Sequence, residues 1–461
     1  MKTIHLILTQ WIWLAVLTAC SSCDSFVEVE LPKNQLTAVT VFQDYHTAEA
    51  AMADIYSNLR DKGILAGDGT GISNQLGNYA DEMVSSENPS NPSIAFYANA
   101  LLPSNTYITG YWNSAYYQIY AANAVIEGVT ESKNLTDAQK RQLQGEALFV
   151  RALVHFYLVN LFGDVPYITQ TDYRINSTVK RTPSGQVYEQ IIADLENAAA
   201  LLPESYPDPA RVRPNAFTAK ALLARTFLYT NAYPEAFNMA SAVLNQQQTY
   251  SLEQPQEVFL NTSRETIWQL QSGTAGQNTA EGSFFIFTSV PPRYVSLSES
   301  LADSFSPDDL RRSTWIKSLS DETAIWYHPY KYKENIPTAV SKEYSIVFRL
   351  AEQYLIRAEA RAWQGDLIGA KEDLNRIRSR AGLSDTQAET QNEILDAVLL
   401  ERKLELFTET GHRFFDLKRT GRLDAELAHI KQGWNSTDSL FPIPQSELSA
   451  NPNLRPQNPG Y

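Results

Sequence analysis

Cysteine is nearly absent. The 461-residue chain has two, Cys20 and Cys23, so beyond residue 23 it cannot build a disulfide or a thiolate metal site. The body must hold by packing, and 43% hydrophobic content over this length is enough for a large core. Histidine is also sparse: the six residues, His5, His46, His155, His328, His412 and His429, are scattered. No His-Glu-x-x-His zinc helix, nucleophile elbow, Walker loop or dinucleotide glycine fingerprint occurs. These absences remove the commonest metal, cofactor and acyl-transfer chemistries, and neither a cofactor nor a metal is expected. Positive charge is in deficit, with 38 Lys and Arg against 52 Asp and Glu and a net charge of -14. No basic stripe compensates that field, which opposes nucleic acid and anionic headgroups. Acidic pairs such as Asp81-Glu82 and Asp308-Asp309 do not make a glycosidase, because catalytic carboxylates are defined by their separation in space.

Residues 1–19 combine Lys2 with an apolar run from Ile4 to Leu17, too short to span a membrane stably, and read as a signal peptide. The run closes on Leu17-Thr18-Ala19-Cys20, where small residues before a cysteine fit a bacterial lipobox. Cys20 is the expected lipidation site, with Cys23 as the alternative, and acylation would anchor the chain without a transmembrane helix. Residues 20–40 carry acids, a proline and small polar residues without helical period, as an extended leader does.

Residues 41–461 read as one mainly helical unit. Thr47 is placed to cap a helix through Ala50, Ile55 and Leu59 to Gly63, and helices are expected over Tyr111–Val129 and Thr136–Leu161. The last has Leu143, Ala147, Val150, Val154, Leu158 and Leu161 at steps of three and four, and Phe162-Gly163-Asp164-Val165-Pro166 ends it. Two stretches, Ala219–Leu244 and Leu350–Ile377, repeat a helix, a short break and a second helix. Alanines such as Ala221, Ala224, Ala358 and Ala370 sit where helices would cross, as tetratricopeptide pairs require. Irregular insertions are expected at about 68–107 and 246–348. Glu265–Leu270 reads as a strand in the second, whose aromatic density argues for an ordered lobe. His155, Trp112 and Tyr116 read as core residues, while His328 stands beside the aromatics of the lobe.

Several segments, in order, resemble the SusD/RagB family of Bacteroidetes outer-membrane nutrient-binding lipoproteins. They are the lipobox, Leu148–Leu153 through Phe162–Pro166, Phe348–Ala360, Glu401–Phe407, Gly411–Leu417, and Leu440–Leu448 through Tyr461. The resemblance implies a scaffold of about four tetratricopeptide helix pairs, a variable irregular face for ligand, and a SusC-like TonB-dependent barrel as partner. It also implies a lipid-anchored protein on the outer membrane, facing the exterior, that captures a glycan or similar nutrient and is not an enzyme. A tetratricopeptide adaptor for protein segments and a surface glycan hydrolase are the alternatives. The family motifs themselves read as scaffold: Ile394, Ala397, Leu400, Leu404 and Phe407 form an expected apolar stripe, with Arg413 folding back onto Glu405. Phe441-Pro442-Ile443-Pro444 reads as a rigid tail.

Sugar recognition needs flat apolar faces for C–H surfaces and planar polar groups for hydroxyls. Two stretches supply the mixture. Asn78, Tyr79, Asp81, Phe96, Tyr97 and Asn99 fall in the first insertion, where the resemblance places ligand loops; Tyr294, Trp315, Trp326 and Tyr327 fall in the second. These ten are the expected ligand contacts.

Overall fold

The computed structural model describes residues 41–461; the signal peptide, the leader and Cys20 lie outside them. Ten helices make the scaffold: α1 (Tyr45–Asp61), α2 (Thr106–Glu131), α3 (Asp137–Phe162), α4 (Ser184–Leu201), α5 (Ala216–Tyr229), α6 (Tyr233–Leu244), α7 (Leu350–Trp363), α8 (Leu367–Arg380), α9 (Gln391–Leu406) and α10 (His412–Arg419). Successive helices pack on one another, with α1 on α2, α3 on α4, α5 on α6 and α7 on α8 making four pairs. The fold is mainly helical, as the periodicity predicts.

Local chemistry sets the helix boundaries. Thr136 and Gln139 form a reciprocal capping box at the start of α3, which satisfies two otherwise orphan backbone groups. At its end Gly163 adopts φ 73°, a left-handed turn that costs a glycine little. The α3 helix is apolar enough to cross a membrane, but 94% of its apolar window is buried inside the fold, so it is the central core helix. The first helix is capped by Asp44, whose carboxylate accepts from His46 and Thr47 amides, and not by Thr47. Ala221, Ala224, Ala236, Ala240, Ala358 and Ala370 are all fully buried where the paired helices meet.

The second insertion is ordered. Strands β1 (Met83–Ser85), β3 (Val295–Leu297), β5 (Ile325–Pro329) and β4 (Ile316–Ser320) form an antiparallel sheet in that spatial order. A separate antiparallel pair joins β2 (Thr266–Leu270) to β6 (Ser345–Arg349), which runs directly into α7. A second apolar cluster, including Phe259, Phe285, Phe305, Trp315 and Phe407, fills the lobe. The C-terminal tail closes the scaffold: Phe441 and Ile443 are buried, the Phe441 amide donates to Leu161 O at 2.7 Å, and Asn458 Nδ2 donates to Phe162 O at 2.8 Å.

Lobe and scaffold meet at a buried ion cluster. Glu405 of α9 receives Arg349 from the β6–α7 junction and Arg380 from the end of α8, and Arg311 lies 3.0 Å away. Arg349 and Arg380 also reach Glu265, at 3.0 and 2.9 Å, and Arg311 reaches Glu401 at 2.6 Å. Burial opposes ionisation of Glu405, but the charges of Arg380, Arg349 and Arg311 hold its carboxyl well below the usual range. The expected fold-back of Arg413 onto Glu405 is therefore replaced. Arg413 instead grips Asp81 through two hydrogen bonds of 2.8 and 2.7 Å and contacts Glu426 at 3.0 Å. The expected apolar stripe of α9 is corrected too: Leu400 is exposed, and the buried face carries Glu401, Arg402 and Glu405 beside Ile394 and Val398. Guanidinium partners from other elements make that charged face the inward one.

Next to Asp81, Glu82 is buried with Thr408 N donating to its Oε1 at 3.3 Å. Burial, and then the charge of Asp81, push the Glu82 carboxyl up to about 8. Burial also disfavours charged Asp81, but the hydrogen bonds and charge of Arg413 hold it at about 2.

Two outcomes follow from these clusters. Glu405→Ala leaves three buried guanidiniums short of a carboxylate and should lower unfolding free energy by about 3 kcal/mol or more. Arg422→Ala, which breaks an exposed pair with Asp396, should change it by less than about 0.5 kcal/mol; equal shifts in urea melts would contradict the cluster's role. Glu82 has its folded pKa raised, so its contribution to stability is full below its ordinary value of 4.5 and is lost as pH rises toward 8. Glu82→Gln keeps an acceptor for Thr408 and removes that loss. Its urea midpoint should pull ahead of the parent's between about pH 5 and about pH 8, and a gap that does not change with pH would contradict the assignment.

Candidate functional site

A wide concavity lies between α1, the loop 271–284 and the segment 334–345. Two adjoining cavities of about 680 and 690 Å³ share Arg60, Ser272, Gly273 and Thr274 in their walls, a size that suits a small ligand. The second also contains Asp68, Phe284, Tyr294 and Asn335.

Its walls are fixed by side chains already engaged. Asn278 accepts from the Lys342 and Glu343 amides at 2.8 and 3.2 Å and donates to Thr338 Oγ1 at 3.0 Å, which binds loop 271–284 to segment 334–345. Arg60 donates to Gln271 O at 2.6 Å while paired with Asp61. Asp68 accepts from the amide and hydroxyl of Thr70 at 2.8 and 2.6 Å, closing the loop on the far side. Gly69 lets that loop lie against Phe284, because a Cβ there would stand 2.6 Å from the ring.

On this frame Phe284 and Tyr294 stack with centroids 5.5 Å apart and planes 21° apart. The Arg293 guanidinium carbon lies 5.0 Å from the Tyr294 centroid, a cation–π contact that steadies the ring. Tyr294 is 36% exposed, so one edge of the pair meets solvent. Gln277 and Asn335 line the same cavity, and their side-chain amides have no hydrogen-bond partner among the described residues. An aromatic edge beside unengaged amides offers apolar contact and hydrogen bonds together, the combination that suits the C–H groups and hydroxyls of a sugar. No cluster of histidine, cysteine and carboxylates with metal-binding spacing occurs among the described residues.

Of the ten residues expected from sequence, Tyr294 alone lines this cleft. Five are core. Asn78, Tyr79, Phe96 and Trp315 are fully buried and Asn99 is 5% exposed. Tyr79 packs edge-on against Phe96, Phe414 and Phe441, and Asn99 Nδ2 donates to Tyr79 O at 3.0 Å. Trp315 Nε1 donates to Pro255 O at 2.7 Å within the lobe core. None of these can reach a ligand without opening the core. Asp81 is corrected likewise, since Arg413 and Lys403 occupy its carboxylate. The Asp81–Glu82 pair has the divergent proton affinities of an acid–base couple, yet neither residue lines the cleft. Tyr97 is half-buried over Lys431, 4.3 Å from its centroid. Trp326 and Tyr327 are half-buried on the β4–β5 hairpin, with Arg312 4.9 Å from the Tyr327 ring. His328 is buried, as is His155, which stacks on Tyr167 at 3.9 Å. Gln277 and Asn335 carry no expectation from sequence, and Phe284 is one of the lobe aromatics there but not one of the ten expected contacts. A weak signal for Gln277 and Phe284 exists, the run of glycine, Gln and Asn leading into Phe284.

Known proteins bear out the architecture. A family model described as "Starch-binding associating with outer membrane" matches residues 26–228, and one described as "SusD family" matches residues 306–461. The chain is 27% identical over 422 residues to the SusD-like protein P2 of Formosa agariphila, covering 77% of this chain and 81% of the relative. It is 25% identical to the starch-binding protein SusD of Bacteroides thetaiotaomicron, over 72% of this chain and 75% of that one. A solved SusD superfamily protein from Bacteroides vulgatus matches with a TM-score of 0.80 at 22% identity, covering 92% of this chain and all of that one, and so shares its fold. Helix pairs, irregular lobe, buried C-terminal motifs and both family models converge: the chain belongs to the SusD/RagB family.

Proposed function

We propose that this chain is a cell-surface binding protein that captures an oligosaccharide in the Phe284–Tyr294 cleft and hands it to a SusC-like TonB-dependent transporter. The observation that carries the reading is the stacked pair, with one edge open to solvent beside the unengaged amides of Gln277 and Asn335. The relative named a starch-binding protein supports a glycan as ligand, and the family description supports an outer-membrane setting. Lipidation at Cys20 holds the binder over its transporter at high effective concentration, so that modest affinity per encounter suffices. The cleft captures by shape, stacking and hydrogen bonds, and its carboxylates serve as acceptors for sugar hydroxyls.

The test is a binding screen of neutral oligosaccharides on protein in which Cys20 is replaced by alanine. At least one glycan should bind, and Phe284→Ala or Tyr294→Ala should weaken it roughly tenfold, about 1.4 kcal/mol, by removing the stacking surface. Helical circular dichroism should not change. Absence of any glycan ligand, or full affinity in both variants, would contradict the reading.

A further inference from the structure

A second aromatic groove stands apart from the cleft. It encloses about 530 Å³ between α2, the chain leaving α3, and the short C-terminal helix Gln445–Ala450. None of the ten residues expected from sequence lines it. Tyr111, one position before its Trp112, donates to Thr70 O in the loop that carries Asp68, so α2 separates the groove from the cleft.

The groove is built and rigid. Half-buried Tyr116 forms its floor, backed by Trp112, which is a core residue as expected at 3% exposure, with ring centroids 4.9 Å apart, and Tyr116 Oη donates to Pro166 O at 3.0 Å. Asn123 Nδ2 donates to Ile168 O at 3.1 Å, and Glu127 accepts from the amide and hydroxyl of Thr171 at 2.9 and 2.5 Å. These contacts fix the departing chain along α2. Asn451 Nδ2 donates to Val179 O at 2.8 Å and secures the third wall. From these walls two further rings stand out in solvent: Tyr120 is 51% exposed and Tyr173 is 77% exposed. Neither hydroxyl has a partner among the described residues. Isolated exposed apolar residues are ordinary, but Tyr116, Tyr120 and Tyr173 around one rigid cavity form a contiguous aromatic patch, and such patches mark binding sites.

Its chemistry narrows the occupant. Glu447 is the one charged side chain in the lining, and no basic residue is present. An anionic ligand therefore meets no counter-charge in the lining, and a cation meets a single half-buried carboxylate. The remaining polar groups are amides and hydroxyls, including the exposed Asn113. Aromatic faces combined with neutral donors and acceptors suit a ligand with an apolar face and a hydroxyl rim. We infer that this groove is a second saccharide-binding site, which seats a neutral pyranose ring on Tyr120 and Tyr173 over the Tyr116 floor. The choice of ligand class rests on the reading of the chain as a glycan binder, whereas the site is independent of the cleft. A long glycan could then be held at two points on one chain, which raises avidity when its length spans both.

The experiment compares three proteins, each with Cys20 replaced by alanine: the parent, a cleft variant (Phe284→Ala with Tyr294→Ala) and a groove variant (Tyr120→Ala with Tyr173→Ala). The probes are maltohexaose, laminarihexaose, cellohexaose and mannohexaose, read by saturation-transfer NMR and by affinity electrophoresis in the corresponding polysaccharides. The cleft variant should retain weak binding to at least one probe, and adding the two groove substitutions to it should reduce that binding at least fivefold. Tyr120 and Tyr173 are exposed, so thermal melts of the groove variant should match the parent. If the cleft variant binds nothing while the parent binds, the second site is refuted and the cleft reading stands. If residual binding survives all four substitutions, the groove assignment is refuted. If the groove variant keeps all saccharide binding but loses a co-purifying barrel transporter, the groove is a protein-docking face and the inference is overturned. If the parent itself binds none of the probes, the glycan reading fails first and this one with it.

Discussion

One carboxylate organises the molecule. Glu405 gathers Arg311, Arg349 and Arg380 from three separate elements into a space from which water is excluded. Burying three guanidiniums costs several kcal/mol for each ion unless carboxylates meet them with good geometry, and Glu265, Asp309, Glu401 and Glu409 also meet them. The cluster therefore admits one arrangement of these elements. It fixes where α9 lies against α8, where β6 turns into α7, and how the short lobe helix Leu310–Trp315, which bears Arg311, is held to α9. An apolar contact would tolerate sliding; a shared carboxylate with directed hydrogen bonds does not.

That constraint reaches the cleft through the chain. Arg349 ends β6, and the residues just before β6 form the cleft's outer wall, segment 334–345. Asn278 ties this wall to loop 271–284, and the loop presents Phe284 to Tyr294. The stacking platform is thus set by a series of engaged polar groups that starts at the ion cluster. Residues that make the chain recognisable as a family member hold the frame, and unpatterned residues on the frame make the site.

The sequence discloses the frame better than the site for physical reasons. Helical period and alanines at crossings are local, and both survive in the structure because tertiary packing agrees with them, whereas the cap expected at Thr47 is taken by Asp44. Strand β2 lies within the stretch Glu265–Leu270 expected from its composition. Partner choice in ion pairs is not local. Arg413 and Glu405 are close in sequence, yet Arg413 turns to Asp81 from the first insertion and Glu405 takes arginines from elsewhere. The same nonlocality decides which aromatics face out. Trp315 and Tyr79 have the composition of sugar platforms and are consumed by the cores they fill, while the plainer Phe284 is only half-buried at the cleft, with Gly69 packed close against its ring. Composition locates an aromatic-rich lobe, but only the packed structure separates its core from its face.

The most direct measurement is hydrogen–deuterium exchange of the chain with and without the tightest-binding oligosaccharide. Ligand seated on the Phe284–Tyr294 platform should slow exchange chiefly in residues 271–284 and 334–345, the two walls joined by Asn278. Saturating ligand that leaves both walls unchanged and protects only the β4–β5 hairpin or the outer faces of the helix pairs would contradict the account.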